Sequence, residues 1–172
     1  GGIFIFFGTS SLSPQNFAFP MNRHHSEALT LRTYSYSEFH KIVVFMTKEF
    51  GKVRGIAHGA KRPKNKFGGS LEPLNQVRLG FHRKEHQDLA VVRSCEVIRI
   101  FSLESRSWET SVHLSYFTEL LLEFSREEEQ SEHLFRLALA VLGTVNIVPI
   151  SLLSRYFELW ILKLEGILPD LD

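Results

Sequence analysis

The chain has 172 residues, 44% apolar and 23% charged, with a single Cys. That length supports one domain, or a small domain with an appendage, and buries roughly 70% of the unfolded surface without help from disulfides. One Cys excludes a disulfide framework and any Cys-based zinc site inside the chain, and no apolar run approaches the ~20 residues of a membrane span.

Residues 1–26 stand apart, with an apolar start too short for a span and then a Ser/Pro/Asn/Gly-rich stretch of no period. They are expected to be a disordered leader without a folded role. From 27 to 101 the text reads as strands. Leu29-Thr30-Leu31-Arg32-Thr33 alternates, residues 41–47 form a short apolar run, and residues 52–58 follow after Gly51 as the second arm of a hairpin. Val77, Leu79 and Phe81 alternate with polar neighbours, and residues 89–100 make one more long strand. Five short strands with turn signals and no helix between them predict a small barrel. After residue 102 the period becomes helical: Leu114, Phe117, Leu121 and Phe124, then Leu134, Ala138, Val141 and Val145. The acidic run at 127–130 is expected in the turn between these two helices, and Pro149 and Gly166 should bracket a third. That third helix is apolar almost all round and is expected to be the buried centre of the helical part.

Charge divides at the same boundary. Residues 1–100 carry 15 Lys/Arg against 7 Asp/Glu, a net +8, and residues 101–172 carry 5 against 12, a net −7. A basic half joined to an acidic half suggests a polyanion site on the first and a different task for the second. The basic charge is densest in Lys61-Arg62-Pro63-Lys64-Asn65-Lys66-Phe67-Gly68-Gly69, four cations in six residues broken by Pro and followed by two glycines. This reads as a mobile basic loop able to neutralise phosphates. Lys52, Arg54 and His58 share one strand face nearby, and Arg32, Lys41, Lys48 and Arg78 extend the patch. Tyr34, Tyr36, Phe39 and Phe67 could stack on bases; Phe39 reads as core, and Phe67, beside the loop, is the stronger candidate. Solvated surface remains the plain alternative for the cations, and core for the aromatics.

The eight His do not assemble into a metal site, Cys95 reads as a small buried residue, and no phosphate-loop or nucleophile motif is present. Nothing argues for catalysis, a cofactor or a metal.

The segments Leu31-Arg32-Thr33, Lys41-Ile42-Val43 and Thr47-Lys48-Glu49-Phe50-Gly51-Lys52-Val53, above all residues 59–73, resemble the RecO family of bacterial recombinational DNA-repair proteins. The resemblance runs over about residues 27–172, ending in Gly166-Ile167-Leu168-Pro169-Asp170-Leu171. It implies an α+β protein: an OB-fold barrel (27–101) followed by an all-α helical domain (102–172). It also implies binding of single- and double-stranded DNA, annealing of complementary strands, help in loading the RecA recombinase, and a bacterial cytoplasmic, nucleoid-associated location. The implied protein partners are RecR, the acidic C-terminal tail of the single-stranded-DNA-binding protein, and RecA indirectly.

Three features depart from the family pattern. Phe39-His40 replaces a small residue and Asp, and His58 stands where Lys is common. The chain also stops where many relatives continue into a Cys-rich zinc-binding segment, so the helical domain is expected to be truncated and zinc is not transferred to it. The expected DNA-binding residues are Arg32, Lys41, Lys52, Arg54, Lys61, Arg62, Lys64, Lys66 and Phe67. Because the helical part repels an acidic tail as a whole, Arg136 and Arg155, mid-helix beside Leu134, Phe135, Phe157 and Trp160, are the expected tail contacts. The rival readings are a plain single-strand-binding OB module and a metal-dependent nucleic-acid enzyme, which needs a carboxylate cluster the sequence lacks.

Overall fold

The computed structural model describes residues 23–84, 87–101 and 107–168. Most of the expected leader, together with His86 and Arg106, lies outside the described residues.

The five strands are β1 (Arg23–Tyr36), β2 (His40–Thr47), β3 (Gly51–Ala57), β4 (Asn75–His82) and β5 (Ala90–Ile100). They close a barrel in the order β1-β2-β3-β5-β4, antiparallel throughout except where β3 meets β5. That is an OB-fold barrel. β1 begins at Arg23, ahead of the expected start at 27: Arg23, His24 and His25 pair with His82, Phe81 and Gly80 of β4. These residues belong to the sheet and not to a leader. Their alternation was hidden because polar side chains occupy both faces.

Two cores explain why the strands are richer in apolar residues than one-sided alternation requires. Inside the barrel Ala28, Val43, Phe45, Val53, Val77, Leu79 and Phe81 pack together. Outside it, Leu29, Leu31, Met46, Leu74 and Phe101 join the helices in a second cluster. Strand β2 therefore carries apolar side chains on both faces, which is why its sequence runs nearly unbroken. Strand β1 bulges between Thr30 and Arg32, so that Leu31 has no partner opposite it on β2. Leu29 and Leu31, two residues apart, both reach the helical side.

The helices are α1 (Trp108–Phe124), α2 (Glu132–Gly143) and α3 (Ile150–Leu164). Ser107 caps α1 by accepting a hydrogen bond from the Thr110 amide at 3.1 Å. Pro149 stands at the N-terminal boundary of α3, and Gly166 turns the chain at its end with φ +69°. The expectation that α3 is the buried centre fails. Only Leu153, Ser154, Phe157 and Ile161 are buried, whereas Leu152 is 61% and Leu159 54% exposed. The centre is shared: Phe117 and Leu121 of α1 are fully buried, and Phe117 meets Phe157 edge-on at 5.1 Å. An apolar composition does not say which face has a neighbour. None of the helices is long and apolar enough to cross a membrane.

The acidic run does join α1 to α2, and it also touches the barrel. The Lys52 amide donates to the Arg126 carbonyl at 2.8 Å, Glu127 forms bridges with Gly51 and Lys52, and Glu128 pairs with Arg83 at 2.6 Å.

Candidate nucleic-acid interface

The β3–β4 connection carries the dense basic segment, and it is tied down rather than loose. The Asn65 side-chain oxygen accepts from the Phe67 and Gly68 amides at 2.9 and 3.0 Å, an Asx turn, while its Nδ2 donates to the Arg62 carbonyl. The Lys61 amide donates to the Phe39 carbonyl, the Gly59 amide to His40 Nδ1, and Asn75 Nδ2 to the Gly69 carbonyl. Phe67 and Leu71 drop into the barrel core. The expectation of an untethered loop is thus replaced by a hydrogen-bonded scaffold that presents its cations outward. Gly68 adopts φ +53°, while Gly69 does not, so only the first glycine serves the turn.

Lys61, Arg62, Lys64 and Arg54 are exposed. None of them, nor Lys66, has a carboxylate partner among the described residues. Lys61 Nζ donates to the Ser37 carbonyl at 3.0 Å and Lys66 Nζ to the Arg93 carbonyl at 2.7 Å, contacts that fix position without cancelling charge. Three expected DNA-binding cations are engaged otherwise. Arg32 pairs with Glu119 of α1, Lys41 with Glu72 at 3.5 Å, and Lys52 Nζ donates to the Leu122 carbonyl at 3.1 Å. Lys48 and Arg78, the further extensions, meet Glu132 and Glu96. Acids distant in sequence, from the helices, the β3–β4 connection and strand β5, reach four of these cations and a helix carbonyl the fifth, which spacing along the chain does not disclose.

The aromatics exchange roles. Phe67 is only 4% exposed, and its ring belongs to the barrel core, so it anchors the segment and offers no face to a base. Phe39, expected in the core, is 40% exposed in the β1–β2 turn with the Arg62 guanidinium 4.8 Å above its ring. Tyr34 and Tyr36 are exposed on the same hairpin. The signal that could have found Phe39 is the Ser35-Tyr36-Ser37-Glu38 stretch before it, whose serines and acid mark a turn between two strands.

Histidines soften the positive field. His58 lies 4.8 Å from His40 ring to ring, and burial together with His40, Arg93 and Lys66 holds its pKa below the ordinary imidazole value. A Lys at this position would stay charged near pH 7, so His58 offers a phosphate less charge there. Cys95 is buried in the barrel and its thiol is pushed up to about 11 by burial, as befits a packing residue. Among the described residues no group of three or more His, Cys, Asp or Glu is placed to hold a metal ion.

In the helical part, Arg136 is exposed with no carboxylate partner among the described residues, whereas Arg155 pairs with Glu158 at 2.8 Å. The apolar residues expected beside them are mostly interior. Leu134, Phe135 and Phe157 are buried, and Trp160 alone of the four is exposed, with Lys163 5.0 Å over its ring. No apolar groove flanks the two arginines through those residues, because helical spacing places them on the core face.

The family model for the recombination protein O N terminal matches residues 21–101, and that for its C terminal matches residues 105–172. The chain belongs to the RecO family. Its two matched regions coincide with the barrel and the helices. A DNA repair protein RecO of Koribacter versatilis is 36% identical over 146 residues, which cover 85% of this chain and 60% of that protein. A second, from Syntrophus aciditrophicus, is 38% identical over 150 residues, covering 87% and 58%. The chain spans about three fifths of the length of these RecO relatives.

Proposed function

We propose that this member of a DNA-repair family acts as a non-enzymatic recombination mediator that binds single- and double-stranded DNA and anneals complementary strands. On protein-coated single strands it helps load RecA, in the bacterial cytoplasm at the nucleoid, with RecR and the acidic tail of the single-stranded-DNA-binding protein as partners. One observation carries the reading. Arg54, Lys61, Arg62, Lys64 and Lys66 present charge with no carboxylate partner among the described residues, and Arg62 among them lies against the exposed ring of Phe39. Such a surface neutralises phosphates and offers a stacking face, the two terms that hold a single strand without sequence preference. Neutralising two backbones on one protein lowers their mutual repulsion and raises the local concentration of complementary bases.

Binding through about five phosphates of a single strand gives log K falling with log salt at a slope near −3.5. Replacing Lys61, Arg62, Lys64 and Lys66 by Ala is expected to weaken binding of all sequences and flatten that slope, read by fluorescence anisotropy across a salt series. Parent-like affinity of the quadruple variant at low salt removes the interface. Protection of strands without faster annealing assigns a plain single-strand binder instead.

A further inference from the structure

The start of β1, the end of β4 and the middle of β5 enclose a cleft of about 410 Å³ lined by Arg23, His24, His25, Gly80, Phe81 and Arg93. Three independent details show that it is built and not incidental. First, Arg93 is the extra residue of a bulge: Gly80 pairs with Ser94 and Phe81 with Val92, leaving Arg93 unopposed. Bulges of this kind re-aim a side chain that regular pairing would direct elsewhere. Second, the wall of the cleft is closely packed at Gly80. A Cβ there would lie 2.3 Å from Ser94 Oγ and 3.2 Å from the His25 ring, so a larger residue would turn the Ser94 hydroxyl aside and press on the imidazole. Third, Arg93 is oriented by an uncharged-leaning partner. Its Nε donates to His82 Nδ1 at 2.9 Å, and His82, only 2% exposed, is held below the ordinary imidazole pKa by burial and by Arg93, Lys84 and Arg23. The imidazole thus positions the guanidinium without cancelling its charge.

No carboxylate among the described residues pairs with Arg23, His25 or Arg93, although Arg78 two residues before Gly80 already meets Glu96 at 3.6 Å. Among the described residues, two permanent cations therefore share a concave site without a carboxylate partner, and an oxyanion is the group that complements it. The basic segment reaches the backbone of the same bulge residue, since Lys66 Nζ donates to the Arg93 carbonyl at 2.7 Å.

We propose that the Arg23–Arg93 cleft is a second phosphate seat, which holds the phosphodiester backbone of a second nucleic-acid strand beside the strand bound on the basic segment. This rests on the nucleic-acid reading above and adds where the second strand lies. Strands in the cleft and on the basic segment would share the field of Arg93, each screened from the other's phosphates by the cations between them. Sequence reading missed the site because Arg23 fell in the discounted leader; the break in alternation at Val91-Val92-Arg93-Ser94 is the signal that marks the bulge.

The test uses the full chain, two short complementary oligonucleotides and three proteins: the parent, Arg23→Gln/Arg93→Gln, and the quadruple Ala variant of the basic segment. Thermal melting verifies that each is folded, and Gly80→Ala, which presses a methyl against Ser94 and the His25 wall of the cleft without removing a charge, serves as a second probe. Expected for the cleft double variant are single-strand affinity within about twofold of the parent and an annealing rate lowered about tenfold, with Gly80→Ala changing in the same direction. An annealing rate equal to the parent's overturns the second seat while leaving the basic segment's role intact. So does a fall in single-strand affinity as large as that of the quadruple variant, which describes one continuous track. Inorganic phosphate, added at constant ionic strength, separates the sources: protection of the parent but not the double variant against melting, with annealing unchanged in both, assigns the cleft to a free anion and overturns the proposal. A quadruple variant that binds and anneals like the parent removes the nucleic-acid reading itself.

Discussion

The ring of Phe67 is closed off in the barrel while that of Phe39 lies open beneath Arg62, so these two phenylalanines separate folding from binding. Phe67→Ala leaves a cavity under the basic segment and is expected to cost about 3–5 kcal/mol of stability, measured by urea unfolding. Phe39→Ala removes a ring that is 40% exposed and belongs to neither core cluster. Unfolding is expected to be nearly unchanged, while single-strand affinity falls by about 1–3 kcal/mol for a lost stacking contact. A Phe39 variant that binds as the parent does would leave Tyr34 and Tyr36 as the stacking surface. The Lys66 ammonium, 4.9 Å over the Phe67 ring, shows how the anchor also holds a cation at the surface.

At the scale of elements, the β2–β3 hairpin is where the acidic α1–α2 connection docks on the barrel. Gly51 makes the docking possible: it adopts φ +66°, and a Cβ there would lie 2.2 Å from the Glu129 carbonyl oxygen and 2.4 Å from that of Arg126. Gly51→Ala is expected to destabilise by about 2 kcal/mol or more, combining the left-handed backbone cost with backbone atoms that cannot rotate aside. In a chain of this size that lowers the melting temperature by roughly 4–8 °C. Gly69→Ala, with nothing within 4 Å of its Cβ and no left-handed φ, is the matched control and should melt close to the parent. The pair also distinguishes a glycine demanded by its neighbours from one that merely borders a turn.

Over the whole molecule, the charge division is partly neutralised at the seam. Arg32 of the barrel meets Glu119 of α1, Lys48 meets Glu132 of α2, and Arg83 meets Glu128 of the connection. Exposed pairs of this kind contribute about 0–1 kcal/mol each, and the larger hold is the apolar cluster that Leu29, Leu31, Met46 and Phe101 share with the helices. The acidic surface that remains would repel an acidic tail unless a local cation receives it. Arg136→Glu together with Arg155→Glu is expected to abolish binding of an acidic tail peptide of the single-stranded-DNA-binding protein and to spare naked-DNA affinity, both followed by anisotropy. Peptide binding that survives the double change moves the tail to another cation, and Lys163 over the exposed Trp160 is then the next position to vary.

The amino-acid sequence by itself determined the element types, the change from period 2 to period 3.6 near residue 102, the placement of cations in residues 61–66, and the family, because each is written in local spacing or in a contiguous motif. Only the tertiary structure decided which cations keep a charge without a carboxylate partner and which rings are open. Arg32 and Lys41 lose their freedom to Glu119 and Glu72, acids 87 and 31 residues away. Phe67 enters a core assembled from five strands, α3 turns a largely apolar surface outward, and Arg23 and Arg93 converge only when the barrel closes. Burial and charge pairing are properties of neighbours in space, and closure of the barrel chooses those neighbours from distant parts of the chain.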